Sequence, residues 1–384
     1  MRKLFTFIAV ICLALNASAQ YQVANSNFEE WETATSYNGK TGPEPKHWNS
    51  FITATGSFKS TIVTNAQLEA STNVRQNATG SSALIKARSV VFAIAQGNMT
   101  TGRINGGSMS ADDANGNFNF TDVENDDFKM PFTGRPDAMK VWINNYTSSG
   151  SGKIAVYLHG NGYYQDPNNG NTSSLTELTA FATGTPKTSS SKTYSQGNWQ
   201  QIQVSFEYRD EIYRPSYALV SFATNSTPGG GSSNDWMYID DMEMVYYSEL
   251  ASATYNGNVI TFNGTSAIVN EEYDANKLNI SSNGHGATVE TSMDEATQLL
   301  TVTIKGDNIS EDATNFHTYT IQFKKPYAKG DVNKDGSVTI ADVTALVNII
   351  LGKGGDDDMA DVNGDEGITI ADVTALVNII LGKN

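Results

Sequence analysis

The sequence predicts a mainly β protein: a jelly-roll β-sandwich, a small immunoglobulin-like β domain, and a C-terminal all-α module of two paired calcium-loop–helix units. Three observations predict it. Short alternating or apolar runs, separated by turn-rich segments, fill residues 21 to about 325, and Thr, Ser, Asn and aromatic residues dominate them. No long stretch before residue 330 has helical periodicity. The run Asp331–Lys353 then returns almost unchanged as Asp361–Lys383.

In chain order, residues 1–19 read as a signal peptide. Arg2 and Lys3 precede an apolar stretch from Leu4 to Leu15, and Ala17–Ser18–Ala19 offers a cleavage site. The stretch is too short to span a bilayer, so the mature chain is expected to have no transmembrane segment and to be secreted or held at the cell surface or in the periplasm. The single cysteine, Cys12, lies inside this leader. Thiol catalysis, cysteine–zinc sites and disulfides are therefore excluded from the mature protein. The formal net charge is −16, and becomes −18 once Arg2 and Lys3 are removed. Such an acidic chain, without a basic patch, excludes nucleic acid as a partner.

Residues 21–249 carry candidate strands at Ala83–Ala95, Ala138–Asn144, Lys153–Leu158, Trp199–Tyr208, Tyr217–Ala223 and Trp236–Tyr246. Segments such as Ser149–Gly152 and Pro228–Ser233 supply the turns. This is the pattern of two packed antiparallel sheets. Flat aromatic faces with amide and carboxylate neighbours suit sugar rings, and Trp48, Tyr163, Tyr164 and Trp236 are the candidates for a carbohydrate-binding platform. Core packing is the competing role for each. Glu29 and Glu30 near the start, with Asp240 and Asp241 near the end, are candidates for one structural calcium if the first and last strands lie side by side; surface ion pairing is the plainer alternative.

Residues 250–325 read as a second, smaller β-sandwich spacer, with strands at Val259–Phe262, Ala267–Asn270, Lys277–Ile280, Ala287–Thr291, Leu299–Ile304 and Thr318–Phe323. Residues 326–329 form the linker to the tail.

The tail, residues 330–384, holds the strongest chemical signal. Calcium is a hard cation that takes several oxygen ligands around a tight turn. Asp331, Asn333, Asp335, Ser337, Thr339 and Asp342 stand at positions 1, 3, 5, 7, 9 and 12 of the first loop. Asp361, Asn363, Asp365, Gly367, Thr369 and Asp372 repeat them. Two bound Ca2+ ions are the expectation. Position 6 is Gly336 in the first loop and Glu366 in the second, so the second is expected to be distorted or weaker. After each loop, Val343, Leu346, Val347 and Ile350, and again Val373, Leu376, Val377 and Ile380, mark one helix face.

This tail resembles a type I dockerin over nearly all of residues 330–384. The resemblance implies a cohesin-like receptor, reached by one helix and the residues beside the twelfth position: Ile340, Ala341, Thr344 and Asn348 in one copy, Ile370, Ala371, Thr374 and Asn378 in the other. Near identity of the copies allows two docking orientations. Many dockerins carry a hydroxyl pair where this chain has Ile–Ala.

Residues 21–249 resemble the putative carbohydrate-metabolism domain of secreted gut Bacteroidetes proteins. The segments that carry the resemblance are Asn27–Trp31, Pro45–Trp48, Gly97–Gly102, Pro131–Pro136 and Tyr238–Asp241. It implies an association with glycans; no catalytic residues are established for that family, so none is carried over to this chain. No Gly-x-Ser-x-Gly elbow and no His-Glu-x-x-His helix is present. The expected function is thus a glycan-binding or glycan-associated protein docked through a calcium-dependent tail to a cohesin-like or other surface receptor. A glycoside hydrolase or related polysaccharide-processing enzyme is the first alternative, and a cell-surface scaffold the second.

Overall fold

The computed structural model describes residues 21–63, 67–90, 93–170, 172–189, 198–209, 213–324, 327–354 and 358–383. The expected leader, and Pro326 of the expected linker, lie outside them. The chain divides into two compact units. One runs to Ala251 and includes Ser282–Val289 and Ile304–His317; the other comprises Ser252–Ser281, Glu290–Thr303 and the chain from Thr318 onward.

The first unit is a two-sheet β-sandwich. One antiparallel sheet has the strand order Gln200–Ser205, Ala138–Tyr146, Trp236–Val245, Ser82–Lys86, Leu68–Ser71. The other has Glu207–Tyr208, Leu178–Gly184, Lys153–His159, Tyr217–Ala223, Asn98–Thr100. Alternate residues of each strand turn inward, as the pleat requires. Met139, Val141 and Ile143 of one sheet meet Ile154, Val156, Leu158, Val220 and Phe222 of the other, all fully buried.

Two strands read as continuous are broken. The run Ala83–Ala95 splits into Ser82–Lys86 in the sandwich and a separate hairpin, Arg88–Val90 on Ala93–Ala95. Trp199–Tyr208 changes sheets part-way: Gln200–Ser205 pairs in one, Phe206 buries its ring in the core, and Glu207–Tyr208 pairs in the other. Alternation carries straight through such a crossover, which is why periodicity alone does not reveal it.

A three-stranded sheet, ordered Gln165–Asp166, Asn117–Phe120, Arg103–Gly106, lies on the outer face of the second sandwich sheet. Side-chain bonds fasten it there. Asn119 donates to Ser221 Oγ at 2.9 Å, and Thr121 Oγ1 shares a 2.8 Å hydrogen bond with His159 Nε2.

In the second unit Tyr255 and Phe323 meet edge to face at 4.9 Å within a small β core that includes Leu300, Val302 and Ile321. The tail contributes two helices, Ile340–Ile350 and Ile370–Ile380. Leu346 and Leu376 are fully buried between them, with Val332, Ala360 and Val362. Each helix starts in a capping box, Thr339 with Asp342 and Thr369 with Asp372. The first ends at Gly352 (φ 68°), where the Lys353 N–H bonds back to Asn348 O at 2.8 Å.

Candidate functional site

The two tail loops are built alike. In the first, the buried Asp331 carboxylate accepts the N–H groups of Asp335 (3.1 Å) and Gly336 (2.9 Å). Asp342, also buried, accepts those of Asn333 (3.0 Å) and Thr339 (2.8 Å). Burial alone raises a carboxyl's pKa, but here the backbone donors outweigh it and hold Asp342 below its usual range. Asp361 and Asp372 repeat the arrangement with Asp365, Glu366, Asn363 and Thr369. One loop therefore gathers Asp331, Asp335 and Asp342, and the other Asp361, Asp365 and Asp372, with carboxylate oxygens in each group within 4.8 Å of one another. Three carboxylates this close repel unless a cation sits among them, and an all-oxygen donor set on a tight loop fits Ca2+. Asn333, Asp335 and Ser337 are exposed on the first loop, as are Asn363 and Asp365 on the second, where Gly367 is half-buried. Thr339 and Thr369 also cap their helices, accepting the N–H groups of Ala341 and Ala371 at 3.2 Å.

Beside the loops, Ile340 is 72% exposed and Ile370 71%. Ala341, Thr344 and Asn348, and equally Ala371, Thr374 and Asn378, are exposed on their helices.

The aromatic candidates of the amino-terminal unit are placed differently from a sugar platform. Trp48 is buried against Phe28 and Phe222, and Trp236 is buried under Leu84 and Tyr238. Tyr164 is buried with its ring stacked on His159 at 5.3 Å. None of these three presents a face to solvent, so packing is their role. Tyr163 is half-buried and donates its hydroxyl to Gln165 Oε1 at 2.8 Å.

Glu29, Glu30, Asp240 and Asp241 do not assemble a metal site. Glu30 pairs with Lys46 at 3.1 Å, Asp241 with Arg75 at 2.7 Å, and Glu29 accepts the Ser81 N–H. Asp240 is buried, and that burial, with Asp241 and Glu29 nearby, pushes its pKa up to about 7. Among the described residues, groups of three or more metal-ligating side chains with mutually close ligand atoms occur only in the tail loops.

A cleft of about 340 Å³ opens on the outer side of the second sandwich sheet, between it and the small three-stranded sheet. Its polar lining includes Asn98, Asn119, Ser221, Lys153 and Asp166; its apolar lining includes Phe51, Phe58, Ile62, Ile94, Met109 and Phe118. The polar groups are held in place. Asn98 Nδ2 donates to Asn119 Oδ1 at 2.9 Å, and Asn119 Nδ2 returns a bond to Asn98 Oδ1 at 3.2 Å. Lys153 Nζ lies 2.6 Å from Asp166 Oδ2, while the Tyr157 hydroxyl donates to Asp166 Oδ1 at 3.0 Å. Met109 on the rim is 61% exposed. Sequence reading missed this cleft. Its one local signal is Asn117–Phe118–Asn119–Phe120, where amides alternate with aromatic rings along one strand.

Residues 329–381 match the family model of the dockerin type I domain. No curated protein matches the chain. Among solved structures, the chain is similar to a putative glycoside hydrolase from Bacteroides thetaiotaomicron VPI-5482, at 14% identity over 60% of this chain and 73% of that one, with a TM-score of 0.42. It is similar to the K1 cleaved adhesin domain of Lys-gingipain from Porphyromonas gingivalis W83, at 10% identity over 56% and 96%, with a TM-score of 0.26. A third is a family 11 carbohydrate-binding module from Clostridium thermocellum in complex with a β-1,3-1,4-mixed-linked tetrasaccharide, at 11% identity over 56% and 95%, with a TM-score of 0.22.

Proposed function

We propose that this chain is a glycan-binding protein that holds its ligand in the cleft of the amino-terminal sandwich and is placed on a partner protein by its calcium-loaded C-terminal tail. The observation that carries the ligand reading is the cleft's lining: amides fixed by mutual hydrogen bonds beside apolar and aromatic walls. Amides donate to and accept from hydroxyl groups at once, and the apolar walls suit the C–H faces of pyranose rings. Fixed polar groups lose little freedom when a ligand arrives, which favours affinity.

Binding is favoured over hydrolysis by the carboxylates. A glycosidase needs two, about 5–10 Å apart across the bond. Among the residues that line the cleft, Asp166 is the one carboxylate, and it is engaged by Lys153 and Tyr157.

The tail supports the docking half of the reading. The dockerin-type match, the two oxygen-lined loops and the exposed Ile340 and Ile370 suit a cohesin-like receptor on the cell surface or among secreted proteins. Among the described residues no helix is long and apolar enough to cross a membrane. On this reading the sandwich is a jelly roll whose outer sheet face is the ligand face.

A glycan array probed with the full chain, followed by calorimetry, tests the proposal. Retention on at least one glycan is expected, with Asn119→Ala weakening it about tenfold, a loss of about 1.4 kcal/mol. Retention unchanged by Asn119→Ala moves the site elsewhere, and product release from the retained glycan turns the reading to an enzyme.

A further inference from the structure

We infer that the cleft takes an uncharged glycan, one without carboxylate or sulfate groups; this rests on the reading of the cleft as the glycan site. Three observations converge on it. Among the lining residues the charged side chains are Lys153 and Asp166, and they neutralise each other at 2.6 Å. Asp166 is buried and also holds the Tyr157 hydroxyl, so the lysine's charge is anchored by its partner rather than presented to the opening. An acidic sugar entering here would be stripped of water and would meet no unpaired cation in compensation, a costly exchange.

The rim points the same way. The loop that contributes Ser108, Met109 and Ala111 to the lining continues into Asp112 and Asp113. Ser110 hydroxyl donates to Asp112, and Asn115 N–H donates to Asp113 Oδ1 at 3.1 Å; both carboxylates are thereby fixed in the turn that directly follows this lining segment. Repulsion from these acids, and from a chain of net charge −16, disfavours the approach of a polyanion.

The remaining recognition chemistry is that of hydroxyl groups. Asn98 Oδ1 and Asn119 Oδ1 each accept one bond from the other side chain, and an amide oxygen has a second lone pair for a sugar hydroxyl. Asn105 is likewise tied on one side, donating to Gly116 O at 2.6 Å, and Asn117 is tied on both, donating to Ser110 O at 2.7 Å and accepting the Ser108 N–H at 3.2 Å on an oxygen that keeps a second lone pair. A row of amides fixed in this way favours a ligand with hydroxyls at regular spacing over one that offers a single anionic anchor.

The test uses the full chain and a calorimetric panel of soluble oligosaccharides: neutral gluco-, manno-, xylo- and galacto-oligosaccharides against oligogalacturonides and sulfated chondroitin fragments. Binding is expected among the neutral members alone, with a Kd that changes less than about twofold between roughly 20 and 200 mM salt, because no ion pair is formed with the ligand. An acidic oligosaccharide that binds as tightly as a neutral one of equal length, with affinity falling as salt rises, overturns the inference while leaving the glycan site standing. If no member binds, the glycan reading fails and this inference fails with it.

Discussion

Lys334 and Glu366 break the repeat of the tail at different places, and both stand in the left-handed backbone region, at φ 60° and 69°. Where one loop has Lys334, the other has Gly364 (φ 79°); where one has Gly336 (φ 89°), the other has Glu366. At loop positions 4 and 6, each loop thus carries one glycine and one strained non-glycine residue. The positive φ expected at Glu366 is present, but Lys334 carries the same strain in the first loop, so backbone strain does not set the second loop apart. Charge separates the two instead. Counting the twelve loop positions, the first carries a net −2 and the second −4. The second loop is expected to fill with calcium first. Lys334→Gly relieves strain and removes a positive charge together, so it tightens the first loop, by about two- to fivefold for about 1 kcal/mol less the glycine's added unfolded-state entropy. Glu366→Gly sets relief of strain against loss of attraction and changes the second loop less. Calcium titration followed by NMR at the Gly336 and Gly364 amides reads both sites; filling of the first loop before the second refutes the assignment.

Calcium removal is expected to unfold the tail and leave the sandwich folded. Five residues, Val332, Leu346, Ala360, Val362 and Leu376, form the buried apolar centre of the tail. That core supports two helices of eleven residues each, a length marginal in isolation. Removing the cations leaves two groups of three carboxylates to repel, and the free energy of metal binding is then lost from folding. Circular dichroism of the full chain with and without chelator is expected to lose helical signal while the sandwich's near-ultraviolet aromatic signal persists. Equal helicity in both conditions counts against the idea.

How far the chain could be read in advance follows from where the information lies. The acidic clusters of the tail are local: Asp331, Asp335 and Asp342 stand within twelve residues, so their gathering is legible from spacing alone. The cleft is not local. Phe51, Asn98, Asn119, Lys153, Asp166 and Ser221 meet only after strands far apart in sequence have paired. Trp48 and Trp236 show the complementary failure. Their residue type suits a sugar platform, but burial is set by which face of the sheet a position occupies, and that register is a property of the whole sandwich. The expected calcium at Glu29, Glu30, Asp240 and Asp241 required the first and last strands to lie side by side, but Trp31–Thr35 pairs with Thr41–Pro45 and Trp236–Val245 with Ala138–Tyr146 and Ser82–Lys86; Lys46 takes Glu30 and the distant Arg75 takes Asp241, and no local pattern announces it.

The Lys153–Asp166 pair is expected to matter more broken than absent. Asp166 is buried, so Lys153→Met leaves a carboxylate without its cation, a change that costs about 3–5 kcal/mol where burial is complete. The exposed part of Lys153 lowers that figure toward about 2 kcal/mol. The double variant Lys153→Met with Asp166→Asn removes both charges and is expected to recover at least half the loss. Chemical denaturation of all three proteins measures it. A double variant as unstable as the sum of its parts denies the pair any coupling.

Glu44 gives the sandwich unit a pH dependence of defined sign. Its carboxyl is buried on strand Thr41–Pro45, where Ser50 donates both N–H and hydroxyl to Oε1 at 2.6 Å. Those donors favour the charged form, but burial outweighs them and lifts the pKa to about 7 from 4.5. Between these values the folded protein keeps a proton that the unfolded chain has released. Stability from this group therefore falls as pH rises from about 4.5 to 7 and is level beyond, a total on the order of 3 kcal/mol. Asp240, also raised to about 7, adds a slope of the same sign, so the wild-type curve alone does not isolate Glu44. Glu44→Gln does: it keeps the shape and an acceptor for Ser50 while removing the titration. Its stability relative to wild type is expected to improve steadily across that window. A difference independent of pH would place the Glu44 carboxyl on the same side of its titration in the folded and unfolded chains throughout the range.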